Sequence, residues 1–382
     1  MAAGPHPYFH RLRAEDPVHW DDEHRAYVLT RYDDVVAAFR DPRLSSERMP
    51  VRHLDKWMVF LDPPDHTRLR HLVDTAFSAR AMAAPRARVA VLVDAIFDDL
   101  HGEVDWLDRV AVPLPATVIA EMLGVSPSDR QQFLMWSADI AGVVFSTTGD
   151  AGRRQRAEDG IREFEAYFRA LLAHYREEPA DNLLSALAAI DGLMEDEVLA
   201  TCTLLLFAGH STTTSLLTAA PWLLEKWPEE KGRLAGDVVR RRGFVEECLR
   251  LEGPAAFMTR VAREEFALGN RTIQAGARLF LGISAANRDP TKFADPDSLD
   301  PTRRPNPHIG FGHGIHHCLG APLARMEGEI VVERLLQRFP GFRVVESNWS
   351  GGLLGRSINR ITVDVGPHSP HDTGLSAPGT GS

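Results

Sequence analysis

Apolar residues recur three or four positions apart along most of the chain, which is the spacing of one face of an α-helix. The clearest examples are residues 33–41, 86–100, 154–178 and 322–339. Shorter runs rich in β-branched and aromatic residues predict strands, and they lie mainly near the two ends of the chain. The strand-like runs are residues 17–20, 26–30, 277–284, 342–346 and 361–365. The pattern therefore predicts a mainly α protein with a small β-sheet region.

One apolar segment needs separate treatment, because Val198 to Ala220 contains no charged residue and approaches the length of a membrane span. Its centre carries Gly209, His210 and a run of Ser and Thr residues, whose polar groups hydrocarbon would penalise. Acidic residues 195–197 precede it, where negative charge stabilises the N-terminus of a helix. We therefore predict a long helix through the core of a globular protein and no membrane span.

The amino-acid composition is typical of a globular protein. The 382 residues are 44% hydrophobic and 25% charged, which suffices for a large packed core. We expect one large domain over residues 1–365 and a flexible tail over residues 366–382, which is rich in Gly, Ser and Pro. The formal net charge of −10 argues against nucleic-acid binding. Three widely spaced cysteines and a start without a long apolar run indicate a cytoplasmic protein, which we expect to be a monomer.

Three glycines surround a cysteine in residues 311–325, FGHGIHHCLGAPLAR, directly before an amphipathic helix pattern. Gly312, Gly314 and Gly320 allow backbone conformations and close approaches that other residues forbid, so amide N–H groups can point at the sulfur of Cys318. Such hydrogen bonds, together with the positive end of the following helix, would stabilise a thiolate.

Two other interpretations of this loop stay open on the residues alone. A zinc site could combine Cys318 with His313, His316 and His317, although four ligands within six residues can hardly surround one tetrahedral ion. Cys318 could also be a buried structural cysteine in a Gly-rich turn, and composition does not exclude this.

The loop resembles the cysteine loop of the cytochromes P450. The family pattern FGxGxHxCxG is matched by Phe311, Gly312, Gly314, His316, Cys318 and Gly320. The resemblance implies the cytochrome P450 fold and a haem b (iron protoporphyrin IX) whose iron is bound by the Cys318 thiolate. It also implies a monooxygenase, an oxidoreductase that activates O2 with two externally supplied electrons and oxidises a small molecule.

Further segments match the family in order along the chain, over roughly residues 10–365. His66 and Arg70 match a pair of cations that bind the haem propionates, and Arg260 and His316 match two further positions of this kind. The resemblance also implies that other residues of the loop and of the central helix contact the haem. These are Phe311, Gly312, Gly320, Ala208 and Gly209.

Two more family landmarks are present. FVEECLR contains the ExxR pair Glu247 and Arg250, which the resemblance implies is completed by Arg303 as a structural ion-pair network. LLLFAGHSTTT matches the oxygen-binding part of the central helix, in which Thr212 is the key threonine.

One position departs from the family pattern. Most relatives carry an acid immediately before the key threonine, whereas this chain has Ser211 before Thr212. The acid and the alcohol together deliver protons during oxygen activation, and a serine hydroxyl is not a useful acid at neutral pH. We expect Thr212 and Ser211, linked by ordered water, to be the catalytic residues, with His210 as a weaker candidate helper.

The departure leaves two outcomes open. In the first, a distant carboxylate or the substrate compensates for Ser211, and turnover is ordinary monooxygenation. In the second, the oxygen chemistry is altered, as in uncoupled turnover, the use of hydrogen peroxide or a reaction other than hydroxylation. A haem-binding sensor that catalyses no reaction is the alternative to an enzyme.

The resemblance places the substrate pocket in mostly apolar segments, so we expect a lipophilic or aromatic small molecule. These segments are residues 56–61, 134–145, 204–209, 254–258 and 351–355. Arg52 and Lys56 could meet an acidic group of the substrate, although surface charge is their more ordinary role.

Electrons must come from other proteins, because the sequence contains no flavin or iron–sulfur motif. The resemblance implies a ferredoxin and its ferredoxin reductase as donors. We expect the ferredoxin to bind a basic patch of Arg68, His71, His313 and His317.

Overall fold

The computed structural model describes residues 4–47, 53–78, 84–144, 151–352 and 355–367. It is 58% helical with small sheets, so the expected mainly α fold is confirmed. Among the described residues, no helix combines the length and the apolar character that crossing a membrane requires. Arg52 and, from residue 368 onward, the expected tail lie outside the described residues.

The helices include one for each clearly periodic segment of the sequence. They are α1 (His6–Glu15), α2 (Tyr32–Arg40), α3 (Asp65–Ser78), α4 (Ala84–Asp98), α5 (Pro113–Leu123), α6 (Arg130–Val144), α7 (Ala151–Glu177), α8 (Leu183–Ala188), α9 (Glu195–Lys226), α10 (Glu229–Ala235), α11 (Val238–Glu252), α12 (Ile283–Ala286) and α13 (Ala321–Arg338). The long central segment is α9.

The strands form three sheets. They are β1 (Val18–Asp21), β2 (Ala26–Leu29), β3 (Leu44–Ser45), β4 (Glu103–Asp105), β5 (Phe257–Ala262), β6 (Phe266–Leu268), β7 (Arg271–Ile273), β8 (Arg278–Gly282), β9 (Arg343–Gly352) and β10 (Gly355–Asp364). The largest sheet has the order β1-β2-β8-β5-β3, in which β2 and β8 are parallel and the other pairs antiparallel. The other sheets are β4-β10-β9 and β6-β7. All five strand-like runs of the sequence lie in these sheets.

Helix α9 is the centre of the molecule. Its N-terminus is stabilised by three acidic residues, and the side chain of Glu197 accepts a hydrogen bond from the backbone N–H of Met194 at 3.0 Å. The helix packs against α5, α7, α11 and α13. This packing explains why residues 198–224 of α9 include no Asp, Glu, Lys or Arg: the apolar surface of this stretch is covered by protein and not by lipid.

Two hydrophobic clusters share α9. The first half of the helix, including Leu199, packs with Trp57, Phe164 and Phe168 in one cluster. The second half, including Leu217, packs in another cluster with side chains of α4, α11 and α13. Burying a Leu or Phe side chain contributes about 1.5–3 kcal/mol, so most of the driving force for folding is gathered around this one helix.

Candidate active site

The loop between Ile309 and α13 is fixed by its own backbone hydrogen bonds. The N–H of Cys318 donates to the carbonyl of Phe311 at 3.0 Å, and the N–H of Gly312 donates to Ile309 at 2.9 Å. Gly312 and Gly314 have φ values of 72° and 71°, a region that favours glycine. Gly320 has φ −80°, so the expectation of an unusual backbone conformation is wrong at this third glycine.

Cys318 is the exposed cysteine of the chain, since Cys202 and Cys248 are buried. Burial nevertheless has the largest influence on its thiol and raises the pKa, while hydrogen bonds from the backbone N–H groups of Gly320 and Ala321 act in the opposite direction. The thiol is therefore accessible although protein atoms surround it closely. The N–H groups and the first turn of α13 offer the sulfur partial positive charge.

The middle of α9 is also partly accessible. Residues 198–207 are buried, whereas residues 208–212 are partly exposed although the helix runs through the core. Thr212 Oγ1 donates to the carbonyl of Ala208 at 2.9 Å, and Ser211 Oγ donates to that of Phe207 at 3.4 Å. Ala208 packs against the same hydrophobic cluster as Leu319, the neighbour of Cys318. The loop and the helix centre therefore border the same region.

Gly209 has a packing role in this part of α9. A Cβ atom at this position would lie 3.0 Å from Cγ1 of Ile119 on α5, closer than side chains normally approach. Glycine therefore lets α9 lie tightly against α5 beside the partly exposed segment.

Three of the expected propionate-binding residues gather in one place. The rings of His66 and His316 lie 4.1 Å apart, and both have Arg260 as a charged neighbour. Burial lowers the pKa of His316 to about 3 and that of Arg260 to about 10. Among the described residues, no carboxylate forms an ion pair with His316 or Arg260. Nδ1 of His66 is buried without a hydrogen-bond partner. This cluster would be stabilised by an anionic group.

The fourth expected residue, Arg70, has other partners. Its Nε donates to Asp74 at 2.9 Å and its Nη1 donates to the carbonyl of His317 at 2.9 Å. Arg70 therefore joins α3 to the loop of Cys318, while its charge still acts on the two histidines.

Two residues that fix His316 were missed by the sequence analysis. Oγ of Ser46 lies 3.0 Å from Nε2 of His316, in a hydrogen bond. The N–H of Ser46 donates in turn to the carboxylate of Asp62 at 3.0 Å. No sequence pattern could have linked Ser46 to a residue so far along the chain.

The Glu247–Arg250 pair lies on α11 and is fully buried. Arg250 donates to the two carboxylate oxygens of Glu247 at 2.6 and 2.7 Å. Its other donations go to carbonyls of the chain that follows α12: Asn287, Pro296 and Ser298. Arg303 Nε lies 3.3 Å from Oε1 of Glu247, in an ion pair without hydrogen-bond alignment. Arg250 and Arg303 thus both contact the carboxylate of Glu247.

The arrangement matches one kind of prosthetic group. The accessible cysteine sulfur offers one soft metal ligand, and the neighbouring arginine and histidine side chains are hydrogen-bond donors that suit carboxylates. Within the described part of the chain, no three His, Cys, Asp or Glu side chains are grouped to hold a metal ion, so the zinc alternative finds no ligand set there. The fold and these residues fit the haem-thiolate class of protein.

Comparison with known proteins agrees. A family model described as Cytochrome P450 matches residues 118–342, more than half of the chain. Cytochrome P450 107B1 of Saccharopolyspora erythraea is 38% identical over 370 residues, covering 89% of each chain. Vitamin D(3) 25-hydroxylase of Pseudonocardia autotrophica is 36% identical, covering 96% of this chain and 94% of that protein. The solved structure of the Bacillus subtilis 168 bacillaene polyketide synthase cytochrome P450 PksS has a TM-score of 0.88 at 33% identity, covering 95% of this chain and 97% of that one.

The chain belongs to the cytochrome P450 family. It is a monooxygenase, and its family binds haem b through a cysteine thiolate. As in its bacterial relatives, its substrates are small molecules.

Replacement of Glu247 by Ala should lower the free energy of unfolding by about 3–5 kcal/mol, because Arg250 would keep its charge in the interior without a carboxylate. Asp159→Ala is the matched control, since Asp159 and Arg162 form an ion pair with the same i,i+3 spacing on the exposed surface of α7. Chemical denaturation of the two variants provides the measurement. Equal effects of the two substitutions would contradict a special role for the buried pair.

Proposed function

We propose that Cys318 is the haem ligand of a monooxygenase that oxidises a lipophilic small molecule. The observation that carries this proposal is the accessible Cys318, with the backbone N–H groups of Gly320 and Ala321 directed at its sulfur. When bound there, the haem supplies the iron at which oxygen is activated. The protein supplies the ligand, the cations and the route for protons.

Each of the four residues expected to bind the propionates has a proposed role. His66, Arg260 and His316 bind the haem propionates, because buried carboxylates require donors of this kind. Arg70 uses two of its N–H donors for Asp74 and the loop, which leaves others for a propionate. Phe311, Gly312 and Gly320 line the haem on the loop side, and Ala208 and Gly209 line it from α9.

Cys318→Ala should remove the strongly red-shifted Soret band that a thiolate-ligated haem gives when reduced and exposed to carbon monoxide. Cys202→Ala is the control, because Cys202 is fully buried in a hydrophobic cluster and should not affect the band. Absorption spectra of the purified proteins provide the test. A red-shifted band in the Cys318 variant would rule out this cysteine as the ligand.

Proton delivery is assigned to Thr212, Ser211 and ordered water. Both hydroxyls belong to the partly exposed middle of α9. His210 lies between them and Gly209, but its Nδ1 is bonded to the carbonyl of Leu206 at 2.8 Å. Burial lowers the pKa of His210, so it is uncharged at neutral pH and a weak source of protons. The absence of an acid at position 211 also supports a second candidate, a haem-thiolate enzyme that uses hydrogen peroxide or catalyses a reaction other than hydroxylation.

Ser211→Glu should increase the amount of product formed per reducing equivalent severalfold, since a carboxyl group would then stand before Thr212. Ser211→Gln is the matched control, because it adds similar volume without an acid and should give no increase. Product and NAD(P)H consumption are measured together with a purified ferredoxin system. Coupling that stays at the wild-type value in a folded Ser211→Glu variant would show that proton delivery does not depend on this position.

A lipophilic substrate is supported by the side chains near the partly exposed segment of α9. The ring of Trp57 lies 5.4 Å from that of Phe207, which precedes Ala208. One relative described above is named for the oxidation of vitamin D3, a lipophilic molecule. Lys56 forms an ion pair with Asp196 at 2.6 Å, so we do not assign it to an acidic group of the substrate.

The proposed electron donors are a ferredoxin and its ferredoxin reductase, which act on a cytoplasmic, monomeric enzyme. Arg68 is removed from the expected docking patch for the ferredoxin, because it forms an ion pair with Glu197. Burial lowers the pKa of His313 and of His317, so both are mainly uncharged at neutral pH. Arg40 takes the place of Arg68 in the proposal: its Cγ would lie 3.8 Å from a Cβ at Gly314, directly beside the loop.

Arg40→Glu should slow the first electron transfer from an acidic ferredoxin about tenfold at low ionic strength, because the change replaces attraction by repulsion at the docking surface. Arg68→Gln combined with Glu197→Gln serves as the control, since it removes an ion pair and leaves the net charge of this face unchanged. Stopped-flow reduction under carbon monoxide measures the rate at several salt concentrations. A rate that is independent of both Arg40 and salt would argue against docking at this face.

A further inference from the structure

Glu246 connects the two ends of the loop that carries Cys318. It lies on α11 directly before Glu247, and its two carboxylate oxygens accept hydrogen bonds from Arg325 at 2.7 and 3.0 Å. The same carboxylate is bonded to Nε2 of His308 at 2.8 Å. His308 precedes the loop and Arg325 lies in the second turn of α13, which follows it.

Arg325 is also linked to the sulfur. Its guanidinium lies over the ring of Phe311, 4.5 Å from the ring centre. The carbonyl of Phe311 accepts the N–H of Cys318 at 3.0 Å. In addition, the charge of Arg325 lowers the pKa of the Cys318 thiol. Both the position of the loop and the potential at the sulfur therefore depend on this cation.

Glu246 carries the negative charge that opposes Arg325. Burial by itself would raise the pKa of Glu246, but hydrogen bonds from His308 and Arg325 outweigh this effect and lower the pKa to about 2. The carboxylate is thus ionised at every working pH and cancels part of the field of Arg325. Glu246 and Arg325 are about one quarter and one third exposed, so solvent screens the pair only in part.

We propose that Glu246 is a positioning residue for the thiolate ligand, which holds Arg325 and His308 in place and limits the positive potential at the sulfur of Cys318. The proposal rests on the proposed role of Cys318 as the haem ligand. Its consequence is that the reduction potential of the haem iron depends on the charge at position 246, because positive potential near the ligand favours the more electron-rich reduced state.

Reduction potentials of the purified, haem-loaded enzyme test the sign of this effect. Glu246→Gln should raise the potential, since Arg325 loses its counter-charge, and Arg325→Gln should lower it. We expect each change to alter the equilibrium constant for one-electron reduction by up to about tenfold, which corresponds to about 59 mV. Combining both substitutions should return the potential close to that of the wild type.

Glu333→Gln is the matched control. Glu333 on α13 forms an ion pair with Arg241 on α11 at 2.8 Å, so it joins the same two helices as Glu246 does. It lies several turns from the loop of Cys318, and its substitution should leave the potential unchanged. Arg325→Lys is the second control, because it keeps the charge and should also stay near the wild-type value even if Glu246→Gln fails to retain haem.

Opposite shifts for Glu246→Gln and Arg325→Gln are the supporting outcome. Shifts of the same sign, or none, in variants that keep the red-shifted carbon monoxide band would overturn the proposal and leave the role of Cys318 intact. Absence of that band from the wild-type protein would instead refute the proposed ligand, so the two failures are distinguishable.

Discussion

A charged group in the interior must be neutralised where it lies, and this requirement organises the half of the molecule that holds Cys318. Arg250 has no solvent contact, so Glu247 neutralises it and three backbone carbonyls complete its hydrogen bonds. Those carbonyls belong to the segment between α12 and the loop, which consists mainly of turns and bends. The side chain of Arg250 thus gives these carbonyls the hydrogen bonds that a helix or sheet would have provided. It also fixes the position of the chain that leads into the loop of Cys318.

Helix α11 therefore acts on the loop through two adjacent carboxylates. Glu247 fixes the chain that approaches the loop, and Glu246 binds His308 and Arg325 on either side of it. Because both carboxylates lie on one rigid helix that packs against α9 and α13, the sulfur is held relative to the core and not only by its own loop. A loop with positive φ values at Gly312 and Gly314 would otherwise be free to adopt other conformations.

Sequence patterns predicted those elements whose conformation depends mainly on residues close together in the chain. The periodic segments around α4, α7 and α13 and the glycines beside Cys318 are examples, since helix formation and backbone conformation depend on neighbouring residues. Contacts between distant segments were not predictable in the same way. Strand β5, which positions Arg260, is defined by its pairing with β8 and β3, and the ion pair of Arg68 with Glu197 joins two separate helices.

The hydroxyl groups of α9 show how this helix combines burial with polarity. Each hydroxyl that donates to the carbonyl four residues earlier satisfies its own donor, while its lone pairs remain available as acceptors. Passing a proton onward requires the hydroxyl to rotate away from that carbonyl, at a cost of about 1 kcal/mol. The bond is 3.4 Å long at Ser211 and 2.9 Å at Thr212, so Ser211 is held less firmly and rotates at the lower cost. The hydroxyl of Ser211 is thus the more easily released of the two.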